Sequence, residues 1–486
     1  MTGSLLISKR IRKEFGSISN VIDIPDLIGM QRDSYESFLQ KGVPPEKRED
    51  KGIHAVFKSV FPIKDFSDTT SLEYVSYSFG ESKQSIKECL SCGLTYDMPL
   101  NIKVRLVVYD LDRDTGHSSI RDIKEQEIYF GTIPLMTRRG TFIVNGTERA
   151  VVSQLHRSSG VFFDNDKGKN HSIGKIIYTA RVIPVRGSWI DMEVDLKDIV
   201  YIRIDRRRRF PVTVLFKAFG YTTEDILEYF YNKERIIKKD GTFFKEFSRE
   251  NLNRQRTSFD IVSQETGEVI LAKGRIFTKR ALKQLENEGI KYIPISEDEL
   301  VDKALAQNIV NGGTGEIIFR AGESITEEML EKLELNEFSI FHVDPRSSDC
   351  MRKTLAVDKI ETKEEALMDI YQRLRPGNPA TSEVAQDFLD HLFFKQTYYD
   401  LSRVGRLKMN HRLGINTLID VRTLRKEDIL LTAGTLIELK DTQGYVDDID
   451  HLGNRRIRAV GELLENHYRI GLIRMERAIK EKLSLQ

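Results

Sequence analysis

Cysteine and tryptophan are scarce: three of the one and one of the other in 486 residues. So few thiols exclude a disulfide-stapled secreted scaffold and argue for a reducing compartment. Cys89 and Cys92 form a C-x-x-C, but Cys350 stands alone and no histidine pair follows, so a zinc site lacks its remaining ligands. Two half-buried strand thiols are expected instead. No apolar run reaches about 18 residues, and the basic N-terminus leads into no apolar core, so neither a membrane span nor a secretory signal is expected. The net charge is only +1, which gives no global nucleic-acid signature. No Walker loop, nucleophile elbow or H-E-x-x-H motif occurs.

The remainder is ordinary for a soluble protein: 40% hydrophobic and 31% charged, with length for about three domains. Charge is distributed locally. Basic residues cluster in KRIRK at 9–13 and in the four arginines 206–209, and they outnumber glutamates eight to four between His451 and Leu483. Glu286 to Asp344 carries fourteen acids and four Lys or Arg, so this stretch is not expected on DNA.

Along the chain, residues 1–19 read as an extended basic arm. Pro25 is placed to open a helix whose face holds Ile28, Gln31, Tyr35, Phe38 and Leu39. Between Leu72 and Asp110 the apolar period changes to two, the mark of a half-buried sheet. Asn145-Gly146 tolerates the positive φ of a type I′ turn and predicts a hairpin over 141–153. A second hairpin is predicted over 189–205, where Ile190, Met192 and Val194 alternate with acids and Val200, Ile202 and Ile204 follow a turn near Lys197. Pairing about Lys197 sets Trp189 opposite Asp205, next to Arg206. A lone tryptophan is ordinarily core, but this one is flanked by Gly187-Ser188 and faced by Arg206, which favours exposure. Arg157 by itself reads as a surface cation.

TGEVILAKGRIFTKRALKQLENEGIKYIPI (266–295) aligns with TGEIIFRAGESITEEMLEKLELNEFSIFHV (314–343) at a constant offset of 48. Gly267 matches Gly315, Gly274 matches Gly322, Thr278 matches Thr326, and Leu282 and Leu285 match Leu330 and Leu333. Each copy reads strand, glycine turn, Thr-capped helix, strand. Two units are too few for a solenoid, so a small inserted module is expected. From 351 the chain turns helical. Thr362 and Glu365 form a capping box, RPGNPAT at 375–381 breaks the helix, and Ser382 caps the next one. The segment 401–414 is basic with no long apolar face, and a further helix runs from about Leu424 to Leu439.

The last forty residues carry the longest pattern. Ile457, Val460, Leu464, Tyr468, Leu472, Met475, Ile479 and Leu483 recur at steps of three or four, which predicts one long amphipathic helix. Before it, Asp447, Asp448 and Asp450 meet Arg455 and Arg456. Acids beside an Arg-rich helix start oppose the helix dipole, an arrangement usually kept for a partner or a site. This stretch, DDIDHLGNRRIR followed by a helix ending RMERAIKEKLSL, resembles the β subunit of bacterial DNA-dependent RNA polymerases. So do GTFIVNGTERAVVSQLHRSSGVFFD at 140–164 and RGSWIDMEV at 186–194. The likeness runs from about Lys9 to Gln486 and is loose only at 232–350.

The resemblance implies an α+β, multidomain chain with mixed sheets and discontinuous domains. A protrusion would comprise 20–148 and 456–486, and a lobe 149–231 and 351–455. A lineage-dependent insertion, the duplicated βαβ-like module, would occupy 232–350. The chain stops three residues past Leu483 without a glycine cap or proline stop, and so reads as the N-terminal part of a longer subunit. The implied role is one wall of the DNA cleft of a nucleotidyltransferase, in contact with downstream non-template DNA. Arg157, Trp189, Asp205, Arg206, Ile449, Asp450 and Arg455 would form the nucleic-acid site, and Val152 would belong to the rifamycin pocket. No catalytic residue, metal or cofactor is expected in this chain. Mg²⁺ is expected in the partner β′ subunit, and DDID is not read as a metal site because Arg455 and Arg456 would compete with a cation. The implied partners are DNA, the α, β′ and ω subunits and a sigma factor, in the cytoplasm and away from membranes. Ser159 stands where the family usually has proline, which predicts a less rigid loop at 157–161. The competing reading is a non-catalytic scaffold or transcription regulator that binds only protein.

Overall fold

The computed structural model describes residues 25–484 apart from 66, 68, 112–117, 167–175, 240, 253–254, 263–268, 311–316, 333–336, 343–347, 380 and 443. The expected basic arm and the repeat positions Gly267, Gly315 and Leu333 lie outside the described residues. The protein is α+β and divides into two compact units, Met1–His156 with Ile457–Gln486, and Arg157–Arg456. No helix among the described residues is long and apolar enough to cross a membrane.

The first unit holds a four-stranded antiparallel sheet of Ile63–Lys64, Thr70–Phe79, Asp97–Leu111 and Ser118–Pro134, in that order. Ile102 and Val104 join a core with Tyr35 and Phe38 of the helix Gly29–Leu39 and Ile53, Val56 and Phe57 of the helix Gly52–Val60. The long C-terminal helix, Val460–Ser484, sets Val460, Leu464, Tyr468, Leu472, Met475 and Ile479 on that core, as its period predicts. It starts three residues later than Ile457, which lies exposed in the strand Arg455–Arg458. The first helix also starts late, at Gly29 and not at Pro25. The Asp26 carboxylate accepts from the Ile28 amide and its carbonyl from Gly29, so a turn holds residues 26–29. Cys89 and Cys92 are not strand thiols. They lie in the helix Ile86–Cys92, which the Ser85–Glu88 capping box nucleates. Asn145 (φ 51°) and Gly146 (φ 72°) make the expected turn, but the hairpin Phe142–Val144/Thr147–Arg149 ends short of the expected residue 153.

The second unit is built on a five-stranded antiparallel sheet in the order Phe210–Pro211, Val200–Ile204, Ile190–Val194, Tyr178–Ile183, Gly160–Asn165. Ile190 pairs with Ile204 and Val194 with Val200, the register read from the sequence. One face of this hairpin is fully buried, with Ile190, Met192, Val200, Ile202 and Ile204 at 0% exposure. Helices Val212–Ala218, Cys350–Val357, Lys363–Leu374, Ser382–Phe393, Ser402–Leu413 and Lys426–Thr442 contribute to the same core. The Thr362–Glu365 capping box is present, whereas the next helix is capped by Thr381, one residue before Ser382.

The segment expected as an insertion has its own sheet, ordered Tyr292–Ile295, Thr242–Glu246, Asn232–Lys239, Glu337–His342, Ala304–Leu305, and two small cores. The repeat recurs in three dimensions. Val269–Leu271 and Ile317–Phe319 correspond, as do the helices beginning at Lys279 and Glu327, and Gly274 and Gly322 share φ near 80° (78° and 87°). Thr278 and Thr326 each accept the amide three residues on. The duplication is wider than the sequence alignment. Ile261–Val262 and Ile309–Val310 pair with the equivalent strands, with the same register shift.

Candidate nucleic-acid interface

The open end of the 190–204 hairpin is locked by Asp205. Its amide donates to the Trp189 carbonyl (3.0 Å), and its carboxylate accepts from the Trp189 amide (2.8 Å). Asp205 and Arg206 are both left-handed (φ 48° and 59°), uncommon for non-glycine residues. That pair of dihedrals swings the Arg206 guanidinium over the half-buried indole, 5.6 Å from the ring. Asp205 is therefore a positioning group for Trp189.

A second group forms where the 446–455 loop meets the edge strand Gly160–Asn165 of the same sheet. Arg157, Phe162, Asp164, Thr179, Arg181, Ile183, Ile449 and Asn454 line one crevice. The loop is anchored from both sides. The Asp447 amide donates to the Phe163 carbonyl, and its carboxylate accepts from the Phe163 amide and from Arg412. Lys408 donates to the Gly453 carbonyl at 2.6 Å, and burial lowers its ammonium below the usual lysine range while Asp447 works the other way. Asp450 lies beyond the crevice with its side chain 87% exposed, and one of its oxygens accepts from Arg455 at 3.1 Å.

The structure thus places the seven expected residues in two groups: Trp189, Asp205 and Arg206 at the open end of the hairpin of the five-stranded sheet, and Arg157 and Arg455 in strands outside that sheet, with Ile449 and Asp450 in the loop before Arg455. Among the described residues no hydrogen bond or ion pair joins the first three to Ile449, Asp450 or Arg455. Val152 is in the other unit and 80% exposed. Lys408 and Arg412, which fix the loop, escaped the sequence reading because they come from the helix Ser402–Leu413, whose basic pattern signals only solvent. The acids of DDID do not converge. Asp447 faces Phe163 and Arg412, Asp448 accepts its own loop's Asp450 amide, and Asp450 faces Arg455. Ser159 is 3% exposed, with its hydroxyl 3.2 Å from that of Ser402, so a side-chain contact stands where a proline would stiffen the loop.

Comparison with known proteins identifies the frame that carries these groups. The model of the family RNA polymerase Rpb2, domain 2, matches residues 157–287 and 317–458, more than half of the chain. The chain belongs to this family. The Rpb2 domain 2 match opens at Arg157, where the second unit opens, and takes in both residue groups. Over 489 residues the chain is 74% identical to the DNA-directed RNA polymerase subunit beta of Desulforapulum autotrophicum, covering all of this chain and 35% of that relative. The same-named protein of Desulfosudis oleivorans is 61% identical, and that of Geobacter sulfurreducens 57%, each over all of this chain and 36% of the relative. The chain spans about a third of the length of the curated relatives it matches. Over that span it is similar to the N-terminal portion of the bacterial β subunit.

Proposed function

We propose that this chain serves as the N-terminal portion of the β subunit of a bacterial DNA-directed RNA polymerase. Its second unit would form one wall of the DNA cleft and hold unpaired non-template bases. Its partners would be DNA, the α, β′ and ω subunits and a sigma factor. The two Mg²⁺ ions that nucleotide transfer needs would come from β′. The observation that supports this most is the exposed Asp450 carboxylate beside a crevice lined by Arg157, on the sheet that also presents Trp189.

The chemistry suits single-stranded DNA. A base stacked on the half-buried indole beside Arg206 would gain roughly 1–3 kcal/mol with little sequence preference. A carboxylate accepts from a base edge rich in donors, and guanine offers N1–H and N2–H₂ side by side. Arg157 and Arg455 would meet phosphates, which carry affinity without sequence.

The test uses the assembled enzyme on bubble templates that differ at one non-template base. Asp450→Ala is expected to flatten a guanine preference of about tenfold, the scale of one base-edge contact. Trp189→Ala should weaken holding of all bases at its own position. Arg455→Ala should weaken every sequence alike and reduce the salt slope by about 1. An Asp450→Ala enzyme that keeps its full guanine preference would reduce Asp450 to a structural partner of Arg455.

A further inference from the structure

The two halves of the module that holds the repeat share a fold but not a surface. The second copy presses one face against the helices of its unit. Leu227 packs with Ala304, Ala306 and Phe341, and the Glu224 carboxylate accepts from the Asn308 amide at 3.0 Å. Arg352 donates to Ser324, and Arg320 pairs with Glu361. A side chain at Gly322 would lie 3.0 Å from Leu227. Small residues make this approach possible: Ala304, Ala306 and Ala321 are all buried.

Most of the equivalent face of the first copy is open, although Ser258, the counterpart of Ala306, is half-buried with its hydroxyl donating to Glu299. Counting back 48 positions, Ala304 becomes Arg256 and Ala321 becomes Lys273, both exposed. Around Gly274 nothing lies within 4 Å of where a side chain would begin. The charge is also inverted. Arg275, Lys279 and Arg280 stand where the second copy has Glu323, Glu327 and Glu328, and all six are exposed. Apolar groups lie among the cations: Ile276 replaces Ser324, and Phe259 and the cross-strand pair Val262–Val269 are exposed as well.

We propose that this face of the first copy, centred on Lys273, Arg275 and Ile276, docks an acidic amphipathic helix from another protein chain. The occupant is inferred from the copy that is already docked. There the module receives the helix Thr223–Phe230, which has an acidic first turn, Glu224 and Asp225, followed by an inward Leu227. The first copy keeps the frame for such a helix and replaces its glutamates with cations, so it complements a more acidic one. Aliphatic side chains between the cations gain from a leucine-bearing partner and gain nothing from phosphate. Long-range attraction between the charges would speed encounter and make it sensitive to salt.

The experiment is fluorescence anisotropy with the whole chain and a labelled helical peptide bearing glutamates beside a leucine stripe. The variant Lys273→Ala/Arg275→Glu/Ile276→Ser gives the first copy the residues of the second, all at exposed positions. Kd is expected to rise about tenfold or more in the variant, and to rise with salt only in the parent. A peptide with lysines for the glutamates should not bind. Three results would overturn the proposal: no peptide binding at about 1 mM, equal binding by parent and variant, or tighter binding of a short single-stranded oligodeoxynucleotide that the same substitutions abolish. The last would make the face a nucleic-acid surface.

Discussion

Arg406 and Asp428 have no exposed side-chain surface and meet at 2.7 Å inside the second unit. Desolvating two charges costs several kcal/mol each, which the pair offsets to the extent that its other polar atoms are satisfied. Arg406 also donates to the carbonyls of Val421 and Thr423, and one Asp428 oxygen accepts from the Arg425 amide at 2.9 Å, while its other oxygen has no hydrogen-bond donor among the described residues and meets only the Arg425 guanidinium at 3.9 Å. The pair pins the helix Ser402–Leu413, which supplies Lys408 and Arg412 to the candidate site, against the helix Lys426–Thr442. Asp428→Ala, which strands a buried guanidinium, is expected to cost about 3–5 kcal/mol in denaturant unfolding. Arg406→Met with Asp428→Leu should recover most of that loss, because an apolar pair of similar volume carries no desolvation penalty. A cost under about 1 kcal/mol for Asp428→Ala would mean that water reaches the site and that the pair holds nothing together. Such a pair cannot be read from periodicity, which is why 401–414 looked like a solvated basic segment.

At the scale of elements, the long helix Val460–Ser484 contains two glycines with opposite surroundings. A Cβ on Gly461 would fall 2.2 Å from the Ser34 carbonyl oxygen, whereas one on Gly471 would meet nothing within 4 Å. Alanine in a helix interior gains about 1 kcal/mol over glycine. At 471 only that term acts, so Gly471→Ala should raise the melting temperature. At 461 the obstruction is backbone of the helix Gly29–Leu39, and overpacking costs about 1–3 kcal/mol, so the clash wins and Gly461→Ala should lower it. Equal effects from the two substitutions would show that this helix is not seated as described. The helix itself was legible because its stripe repeats for six turns, and the 189–205 hairpin because alternation and turn are both local. The repeat was only partly legible, for a tertiary reason. Ala304, Ala306 and Ala321 fit the second copy to its neighbours, and that adaptation erases the likeness to Arg256, Ser258 and Lys273. For the candidate site, the hairpin half followed from pairing, while the loop half depends on Phe163 and Arg412, which no spacing connects.

For the molecule as a whole, the question is whether the module that holds the repeat is separable or part of the second unit's core. Its apolar residues fall into clusters of their own, one around Phe243 and Phe338, the other around Leu282 and Leu285. A small apolar cluster, Leu227, Ala304, Ala306 and Phe341 with Tyr231 and Leu355 beside them, joins it to its host, together with the polar contacts Glu224–Asn308, Arg352–Ser324 and Arg320–Glu361. The chain leaves and returns at adjacent points. Asn232 pairs with His342, and the Tyr231 hydroxyl donates to Asp349 at 2.7 Å. The return lies before Cys350, because Cys350 and Met351 are fully buried in the host core and Ser348 donates to Asp441. Replacing 232–347 with a short linker should therefore leave one cooperative thermal transition, since closing a short gap costs little entropy. Exposing Leu227 and the edge of Leu355 should lower stability by about 2–3 kcal/mol, the burial worth of one large aliphatic side chain. Retaining Tyr231 and Asp349 keeps the hydrogen bond that closes the gap. A deletion chain that melts without cooperativity, or binds a hydrophobic dye at room temperature, would show that the module's sheet completes the host's core.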